Sequence, residues 1–508
     1  GLEPAPVAAC RVLEIGCAGV GNLIPMAEGL PGSRFLGFDL SPSQIEAARG
    51  SAAELGLTNI EFQCLDVRDA AEAGLGEFDY VIAHGLYSWM PADARDALLA
   101  VCRRSLAPHG IAYVSYNTYP GWHMLRGLRE MMLYHTRGVA DPAERAARAI
   151  GLVDFLAQAV AAEAQHGYGA LIHAYKAFLE KERERLGEYH AGALLHDELE
   201  DVNDPVYFHQ FVEHAGRHGL LYLSEVDLRS VMLSNFPPAV GQALMGLAND
   251  LITLEQYMDF IRNRQFRQTL LCRAEITLDR QLEAARVRRL CLASPARPVS
   301  AEPDLGAGVV EKFVSADEAQ FATNHPLTKA ALLHLASAWP KVLTFAEVAA
   351  AARARLPQGA ASPDPAEDEA LLCANLIQAH VYSRSLVELH AYQPALTLEP
   401  AERPRTSPWA RLLARAAGQD VVRVTNLRHE RVELDPLARL VVERLDGAHD
   451  LAAIVDELLS GPLAAGKLKL PAEDAQMGLD EPGRLRAYLT KEVDDCLRWL
   501  GRAGLLLP

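Results

Sequence analysis

The stretch VLEIGCAGVGN, residues 12–22, decides the fold of this chain. An apolar strand there carries Glu14 and runs into a turn that contains Gly16, Gly19 and Gly21. Glycine removes side chains where a backbone turns sharply and lets a ligand lie against the main chain. Such turns follow the first strand of many doubly wound α/β proteins, so the stretch predicts this fold class and a cofactor site.

Two further strands end on acidic residues at the spacing that such a site requires. RFLGFDL, residues 34–40, reaches Asp39, which is placed to accept hydrogen bonds from both hydroxyls of a ribose. IEFQCLDVRD, residues 60–69, reaches Asp66, where a carboxylate can meet the exocyclic amine of adenine. The two carboxylates therefore predict an adenosine site.

The next part of the chain continues the alternation of strands and helices. FDYVIAHGLYSWMP, residues 78–91, predicts a fourth strand, and HGIAYVSYNTYPGW, residues 109–122, predicts a fifth. Helical patterns separate the strands, so we expect a parallel sheet whose ligand binds beyond the carboxyl ends of the strands. The polar strand-end residues expected to converge there are Glu14, Asp39, Asp66, His84 and Asn117.

The acid inside the glycine turn distinguishes between two cofactors. A nicotinamide dinucleotide places its pyrophosphate at the helix N-terminus behind the turn. S-adenosylmethionine (SAM) has no phosphate and presents an ammonium and a sulfonium, which suit Glu14. We therefore expect SAM as cofactor, S-adenosylhomocysteine as product and no metal. The residues predicted to bind SAM are Glu14, Gly16, Cys17, Gly19, Asn22, Asp39, Leu40, Asp66, Val67 and His84.

Length, charge and cysteine content restrict the class of protein. The 508 residues predict three or four domains, at about 150 residues per domain. A formal charge of −17 disfavours a nucleic-acid partner, because phosphate contacts require clustered Lys and Arg. The chain has neither an apolar run of membrane-spanning length nor a secretion signal, so we expect a cytoplasmic protein without membrane insertion. The eight scattered cysteines predict reduced thiols without a disulfide or zinc site. The sequence starts at Gly1 rather than at Met, which predicts that a leading segment is missing.

The last two strands of the sheet are expected late in the chain. Residues 124–199 read as amphipathic helices throughout, which indicates an insertion. FHQFVEHAGRHGLLYLSEVDL, residues 208–228, then predicts a helix, a stop at Gly219 and a strand. FRQTLLCR, residues 266–273, predicts the strand that completes the core.

Two smaller units are expected after a proline-rich linker, LASPARPVSAEPDLGAG. Each is predicted to have three helices and a short strand pair, as in a winged-helix fold. Their second helices carry acidic residues among few basic ones, which favours a protein partner over DNA. We expect these units to recognise the substrate and to leave SAM binding unaffected.

Several stretches together resemble one family. VLEIGCAGVGN, HGLYSW, YNTYPGWH, NDPVYFHQFVEHAGRHGLLYLSE and FRQTLLC are similar to bacterial class I SAM-dependent methyltransferases with a methyltransferase regulatory domain, among them rickettsial outer-membrane-protein lysine methyltransferases. The resemblance is strong through residue 273 and is one of architecture beyond it. It implies SAM-dependent N-methylation of lysine side chains on a protein or peptide substrate, by a homodimer. Ala18 stands where the common SAM turn has another glycine.

The predicted fold is α/β: a Rossmann-like class I methyltransferase sheet with a helical insertion, followed by two mainly α winged-helix-like units. The predicted domains are 1–123 for the SAM-binding core, 124–199 for a helical insertion suited to dimerisation, 200–275 for the end of the core and the regulatory region, and 276–400 and 401–508 for the winged-helix-like units.

Methyl transfer requires two things of the residues around the acceptor. The reaction is an in-line displacement at a carbon activated by sulfonium, so the protein must position a nucleophile and remove its proton and water. Making a lysine neutral at pH 7 costs roughly 4 to 5 kcal/mol, which a dry, aromatic pocket can offset. HGLYSW and YNTYPGWH supply aromatic and amide groups after the fourth and fifth strands. The residues predicted to take part in catalysis are His84, Tyr87, Tyr116, Asn117 and Tyr119.

Other interpretations stay open at this point. The aromatic residues could pack in the core, and His84 could be a structural residue with a backbone partner. Only His214 and His218 of the three histidines in residues 209–218 share a helix face, and no HExxH spacing is present, so no metal is expected. Two other functions use the same cofactor site: methylation of a small molecule or peptide natural product, and SAM-responsive binding without catalysis. The aromatic stretches argue against the second.

Overall fold

A seven-stranded sheet organises the first half of the chain. The structure is a computed structural model that describes residues 2–18, 21–166, 169–187, 198–360, 362–416, 422–466, 468 and 482–508. The strands are β1 (Arg11–Ile15), β2 (Arg34–Asp39), β3 (Ile60–Cys64), β4 (Phe78–Ala83), β5 (Leu106–Asn117), β6 (Leu220–Glu225) and β7 (Phe266–Arg273). Their order across the sheet is β3-β2-β1-β4-β5-β7-β6. Strands β1 to β5 run parallel, and β7 runs antiparallel to both of its neighbours, which confirms the predicted Rossmann-like sheet.

Helices cover both faces of this sheet, as the βαβ connections require. Ser41 begins one of them, since its hydroxyl accepts the N–H of Gln44 at 3.4 Å and a proline occupies the first turn. Leu13 and Ile15 pack into one apolar cluster, whereas Val12 packs into a second cluster on the opposite face. The helices that connect the first five strands are Leu23–Gly29, Pro42–Glu54, Val67–Ala70 and Ala92–Ser105.

The helical insertion lies between β5 and β6, where the sequence predicts it. Its described helices are Trp122–His135, Pro142–Glu163 and Gly169–Gly187, and they bury their own small apolar cluster around Leu128 and Val153. The chain then returns to the sheet through the helix Phe208–Arg217. Gly219 separates this helix from β6 with a φ of +71°, a left-handed conformation that favours glycine.

A buried ionic cluster holds the helix that precedes β7 against the sheet. The helices Pro238–Leu247 and Leu251–Arg262 connect β6 to β7. Arg267 of β7 is fully buried and donates to Asp259, Glu225 and Glu255 at 2.8 to 3.1 Å. Removing one member of such a buried group typically costs about 3 to 5 kcal/mol. The cluster therefore fixes the helix Leu251–Arg262 relative to the end of the sheet.

Two mainly helical units follow β7, each with its own apolar cluster. The helices of the first are Pro326–Ala338, Phe345–Arg355 and Pro365–Tyr382, and its strands are Cys291–Ala293, Arg297–Pro298, Glu311–Val314, Gln320–Thr323, Leu343–Thr344 and Glu388–His390. The helices of the second are Pro408–Ala416, Pro436–Arg444, Leu451–Leu458 and Pro482–Arg502, and its strands are Arg405–Thr406, Val422–Thr425, Arg431–Leu434 and Leu506–Leu507. Within the described ranges, the helices are all too short or too polar to span a membrane.

Candidate cofactor and acceptor site

The glycine-rich turn follows β1 at the carboxyl edge of the sheet. Gly16 has a φ of +68°, and a Cβ at this position would lie 2.6 Å from Cδ1 of Leu86. The conformation therefore favours glycine, and a Cβ would in addition require the Leu86 side chain to move. Ala18 also has a positive φ, of 32°. Gly19, the other glycine predicted to bind the cofactor, lies outside the described residues.

Glu14 brings a carboxylate into this turn from the end of β1. Its side chain is buried, and Oε1 accepts a hydrogen bond from Nδ2 of Asn22 at 2.8 Å. Oε2 is also buried but has no hydrogen-bond partner in the described part of the chain. Burial raises the pKa of Glu14 to about 7. An ammonium beside Oε2 would supply the missing partner and favour the carboxylate, so the site fits the amino acid end of SAM.

Asp39 stands at the end of the neighbouring strand β2. Its Oδ2 accepts from the backbone N–H of Ala18 at 3.1 Å, and its Oδ1 accepts from that of Ser41 at 2.9 Å. These bonds fix the carboxylate relative to the glycine turn. Because each carboxylate oxygen can accept two hydrogen bonds, both oxygens keep capacity for the hydroxyls of a ribose.

The remaining residues predicted to bind SAM line the same edge. Leu40 is 66% exposed beside Asp39 and offers an apolar face. At the end of β3, Asp66 accepts from the backbone N–H of Arg68 at 2.9 Å and from its guanidinium at 3.0 Å, and the adjacent Val67 is buried. Cys17 is buried, and burial raises the pKa of its thiol to about 12, so it contributes packing rather than charge.

His84 follows β4 and is held by two hydroxyl groups. Its Nδ1 lies 2.7 Å from the hydroxyl of Tyr113 and 3.2 Å from Oγ of Ser115. Partial burial lowers the pKa of the imidazole, which favours the neutral form. The Tyr113 hydroxyl also accepts from Nε2 of Gln268 at 2.9 Å. Within the described residues, the His84 ring thus has side-chain hydroxyl partners, and these fix its orientation.

Tyr87 and Tyr116 lie in the apolar core beneath the edge. Each is 1 to 2% exposed. The Tyr116 ring stacks on Phe211 with 4.0 Å between centroids, and its hydroxyl lies 3.1 Å from Oγ1 of Thr269. The Tyr87 hydroxyl lies 2.7 Å from Nδ1 of His214. Both tyrosines, which the sequence suggested for catalysis, therefore pack in the core of the sheet.

Asn117 and Asn203 present buried polar atoms at the end of β5. Nδ2 of Asn117 and both side-chain polar atoms of Asn203 have no hydrogen-bond partner among the described residues. Ser88 joins the two segments, because its Oγ accepts the N–H of Asn117 at 2.9 Å and its carbonyl accepts the N–H of Asp204 at 2.8 Å. Buried amide groups are normally hydrogen-bonded, so these atoms point to a polar ligand.

Sequence reasoning missed Asn203 and its neighbour Tyr207. Both belong to NDPVYF, residues 203–208, which follows the helical insertion rather than a strand of the sheet. A bridge between Thr118 and Val206 brings this segment to the end of β5. The available signal was the cluster of polar and aromatic residues around a proline.

Aromatic rings lie beside these amides. Tyr119 stacks on His123 with 4.1 Å between ring centroids, and its centroid lies 5.3 Å from that of Tyr207. Nε2 of His123 is 3.3 Å from the Tyr207 hydroxyl, and Arg126 donates to the Tyr119 hydroxyl at 3.1 Å. The structure thus places Tyr119, predicted from the sequence, in an aromatic group at the end of β5.

The C-terminal unit reaches the glycine turn, a contact that the sequence did not predict. Nε2 of His429 lies 2.9 Å from Oδ1 of Asn22, the residue that donates to Glu14. Trp409 packs in the same apolar cluster as Leu23, and its backbone N–H donates to Oε1 of Glu28 at 3.3 Å. The helix behind the turn is therefore packed against the C-terminal unit.

Three known protein families match three separate parts of the chain. Residues 12–110 match a methyltransferase domain, residues 190–273 match a predicted methyltransferase regulatory domain, and residues 402–505 match the PKMT C-terminal winged helix domain.

Individual relatives extend the similarity over nearly the whole chain. RP789 of Rickettsia prowazekii, an uncharacterized protein, is 32% identical over 479 residues, which cover 93% of this chain and 83% of the relative. RP028 of the same organism, also uncharacterized, is 36% identical over 216 residues, which cover 42% of this chain and 82% of the relative. The structure of PKMT2 from Rickettsia typhi in complex with AdoHcy has a TM-score of 0.85 and 29% identity, and the match covers 100% of this chain and 96% of PKMT2. These similarities show that the chain belongs to the class I SAM-dependent methyltransferases that carry a methyltransferase regulatory domain and a PKMT winged-helix domain.

Proposed function

We propose that this methyltransferase transfers a methyl group from SAM to the side-chain nitrogen of a lysine in a protein or peptide substrate. The observation that carries the proposal is a set of buried amide atoms at the end of β5: those of Asn117 and Asn203 that have no hydrogen-bond partner in the described part of the chain. The resemblance of the sequence to rickettsial lysine methyltransferases supports the same acceptor, and the chain is similar over its full length to the rickettsial methyltransferase PKMT2.

The order of the strands indicates how SAM is oriented along the carboxyl edge of the sheet. The edge runs from Asp66 after β3, through Asp39 and Glu14, to His84 after β4 and Asn117 at the end of β5. With the adenosine at Asp66 and Asp39 and the amino acid end at Glu14, the methyl group faces the ends of β4 and β5. The acceptor therefore enters on the side of Asn117.

The residues on that side suit an amine. The carbonyl oxygen of Asn203 can accept from the lysine N–H and aim the nitrogen lone pair at the methyl carbon. The rings of Tyr119 and Tyr207 attract an incoming ammonium through their faces. Bound SAM supplies the electrophilic methyl group, so these residues need only orient the amine and exclude water. The neutral imidazole of His84 is available at the same edge for the proton that the amine loses.

Methyl-labelled SAM tests this assignment. The purified chain is incubated with labelled SAM and a total bacterial protein extract, and the labelled residues are located by peptide mass spectrometry. We expect the label on lysine side chains, and a label confined to small molecules or to other residue types would contradict the proposal.

Variants test the acceptor side separately. Asn203→Ala should reduce turnover by about 10- to 100-fold, because an orienting hydrogen bond is lost, while SAM affinity stays within about twofold. Asn249→Ala, at an exposed asparagine, is the matched control and should keep parental turnover. Full turnover in Asn203→Ala would place the acceptor elsewhere.

A further inference from the structure

Two helices bring three potential metal ligands together on the surface below the acceptor side. Asp96 lies on the helix Ala92–Ser105, His214 lies on Phe208–Arg217, and His218 immediately follows that helix. Nε2 of His214 is 2.7 Å from Oδ1 of Asp96, and Nε2 of His218 is 3.0 Å from the same oxygen. The ligand atoms of all three lie within 4.8 Å of one another. We propose that Asp96, His214 and His218 form a binding site for a divalent transition-metal ion such as Zn²⁺.

The donor set and its geometry fit this ion. Zinc binds imidazole nitrogen and carboxylate oxygen at about 2.0 to 2.2 Å in a tetrahedral arrangement. Tetrahedral ligands at that distance are about 3.3 Å apart. The two separations from Asp96 Oδ1, 2.7 and 3.0 Å, need to widen slightly to reach this spacing, and the ligand nitrogens of His214 and His218, which lie within 4.8 Å of each other, have to adopt the same spacing. The side chains of His214 and His218 are 14% and 21% exposed, whereas that of Asp96 is 62% exposed, so solvent can reach the cluster and supply a water as the fourth ligand.

A hydrogen bond behind His214 orients its ring. Nδ1 of His214 lies 2.7 Å from the hydroxyl of Tyr87. Without metal, Nε2–H of His214 donates to Asp96 and Nδ1 accepts from Tyr87. With metal on Nε2, Nδ1 carries the proton and donates to the Tyr87 oxygen. Metal binding therefore reverses one hydrogen bond at the start of the turn Tyr87–Trp89.

This turn connects the metal site to the acceptor side. Ser88 follows Tyr87 and holds both Asn117 and Asp204 by the hydrogen bonds described above. Arg95, one residue before the metal ligand Asp96, forms an ion pair with Asp204 at 2.5 Å. A bound ion would thus clamp the helix Ala92–Ser105 to Phe208–Arg217 and stiffen the segment that carries Asn203.

The sequence did not predict this site because its third ligand is remote. His214 and His218 are four residues apart, but Asp96 precedes His214 by 118 residues. Only the packing of the two helices reveals the set.

Metal titration of the full chain tests the proposal. The metal-free protein is titrated with Zn²⁺ by calorimetry and with Co²⁺ by visible absorption, which reports tetrahedral coordination. We expect one specific equivalent in the parent, and a loss of affinity of about 100-fold or more in His218→Gln and in Asp96→Asn. Tyr87→Phe removes only the orienting hydroxyl and should weaken binding by about tenfold.

His209→Gln is the matched control, since His209 lies on the same helix and its Nδ1 contacts Gln256 instead of the cluster. It should bind as the parent does. Anomalous diffraction at the zinc edge then locates the ion, and we expect the peak between Asp96, His214 and His218. Parental affinity in both His218→Gln and Asp96→Asn, a peak at other residues, or the absence of specific binding in the folded parent would overturn the proposal.

Discussion

Glu14 connects the sequence pattern to the chemistry of the cofactor. Its position in the glycine turn follows from the sequence, whereas only the structure shows that its Oε2 has no hydrogen-bond partner among the described residues. A buried carboxylate without a cationic partner has a raised pKa because the charged form is poorly solvated. SAM would supply that cation.

This environment predicts a pH-dependent affinity for SAM. Burial raises the pKa of Glu14 to about 7, so the carboxyl group of the SAM-free protein becomes protonated as the pH falls below that value. An ammonium favours the carboxylate, so binding releases a proton and affinity should fall by up to about tenfold per pH unit below pH 7. Calorimetry between about pH 5.5 and pH 8 measures this slope. Glu14→Gln should show a flatter profile, and equal slopes in the two proteins would contradict this role of Glu14.

The same pKa shift affects the stability of the SAM-free protein. A raised folded-state pKa stabilises the fold at low pH, and this contribution is lost as the pH rises from 4.5 to about 7. Bound SAM reverses the effect by partnering the charge. Thermal unfolding should therefore show a larger stabilisation by SAM at pH 8 than at pH 6, and this difference should be absent in Glu14→Gln.

Asp39 should contribute directly to cofactor affinity. Asp39→Ala removes the acceptor for the ribose hydroxyls and two hydrogen bonds that hold the turn, so SAM affinity should fall by about 10- to 100-fold. Calorimetry measures the change, and Glu46→Ala, at an exposed carboxylate on the following helix, is the control. Parental affinity in Asp39→Ala would remove Asp39 from the site.

Residue positions were predictable where a strand end fixed them. Glu14 and Asp39 follow from the glycine turn and from the end of a parallel strand. Tyr116 shows the limit of this reasoning, because neighbouring side chains on a strand point to opposite faces and the sequence does not say which face is the core. Asn203 could not be placed, since only a contact between remote segments brings it to β5.

At the scale of elements, local patterns predicted the sheet well. FRQTLLCR coincides with β7, and the stop at Gly219 separates a helix from β6 as expected. Apolar alternation and glycine positions are properties of short stretches of sequence, so the strands and turns that they predict do not depend on contacts with remote residues. The contact between the C-terminal unit and the glycine turn has no local signal, because His429 and Asn22 are 407 residues apart.

That contact predicts an effect of the winged-helix unit on the cofactor site. His429→Ala removes a partner of Asn22, which in turn positions Glu14, so SAM affinity should fall by about threefold to tenfold. His449→Ala, which changes a histidine bound to Asp446 in the same unit, is the control. Equal SAM affinity in the His429 and His449 variants would show that the contact does not influence the site.

At the scale of the whole molecule, the seven-stranded sheet that carries the proposed cofactor site is followed by C-terminal units that pack against the methyltransferase core. The sequence predicted a core that is complete at residue 273, and the sheet does end there. However, Trp409 is buried against the first helix of that core. Removal of the C-terminal units would expose this apolar surface, so the methyltransferase core and the C-terminal unit are physically linked.

A crystal structure of the full chain with S-adenosylhomocysteine tests the central claim most directly, because it shows which way the cofactor lies along the sheet. We expect its amino group within about 3 Å of Glu14 Oε2, its ribose hydroxyls at the same distance from Asp39, and its sulfur directed towards Asn117 and Asn203. A cofactor whose sulfur points towards β3, or whose amino group lies away from Glu14, would contradict the account.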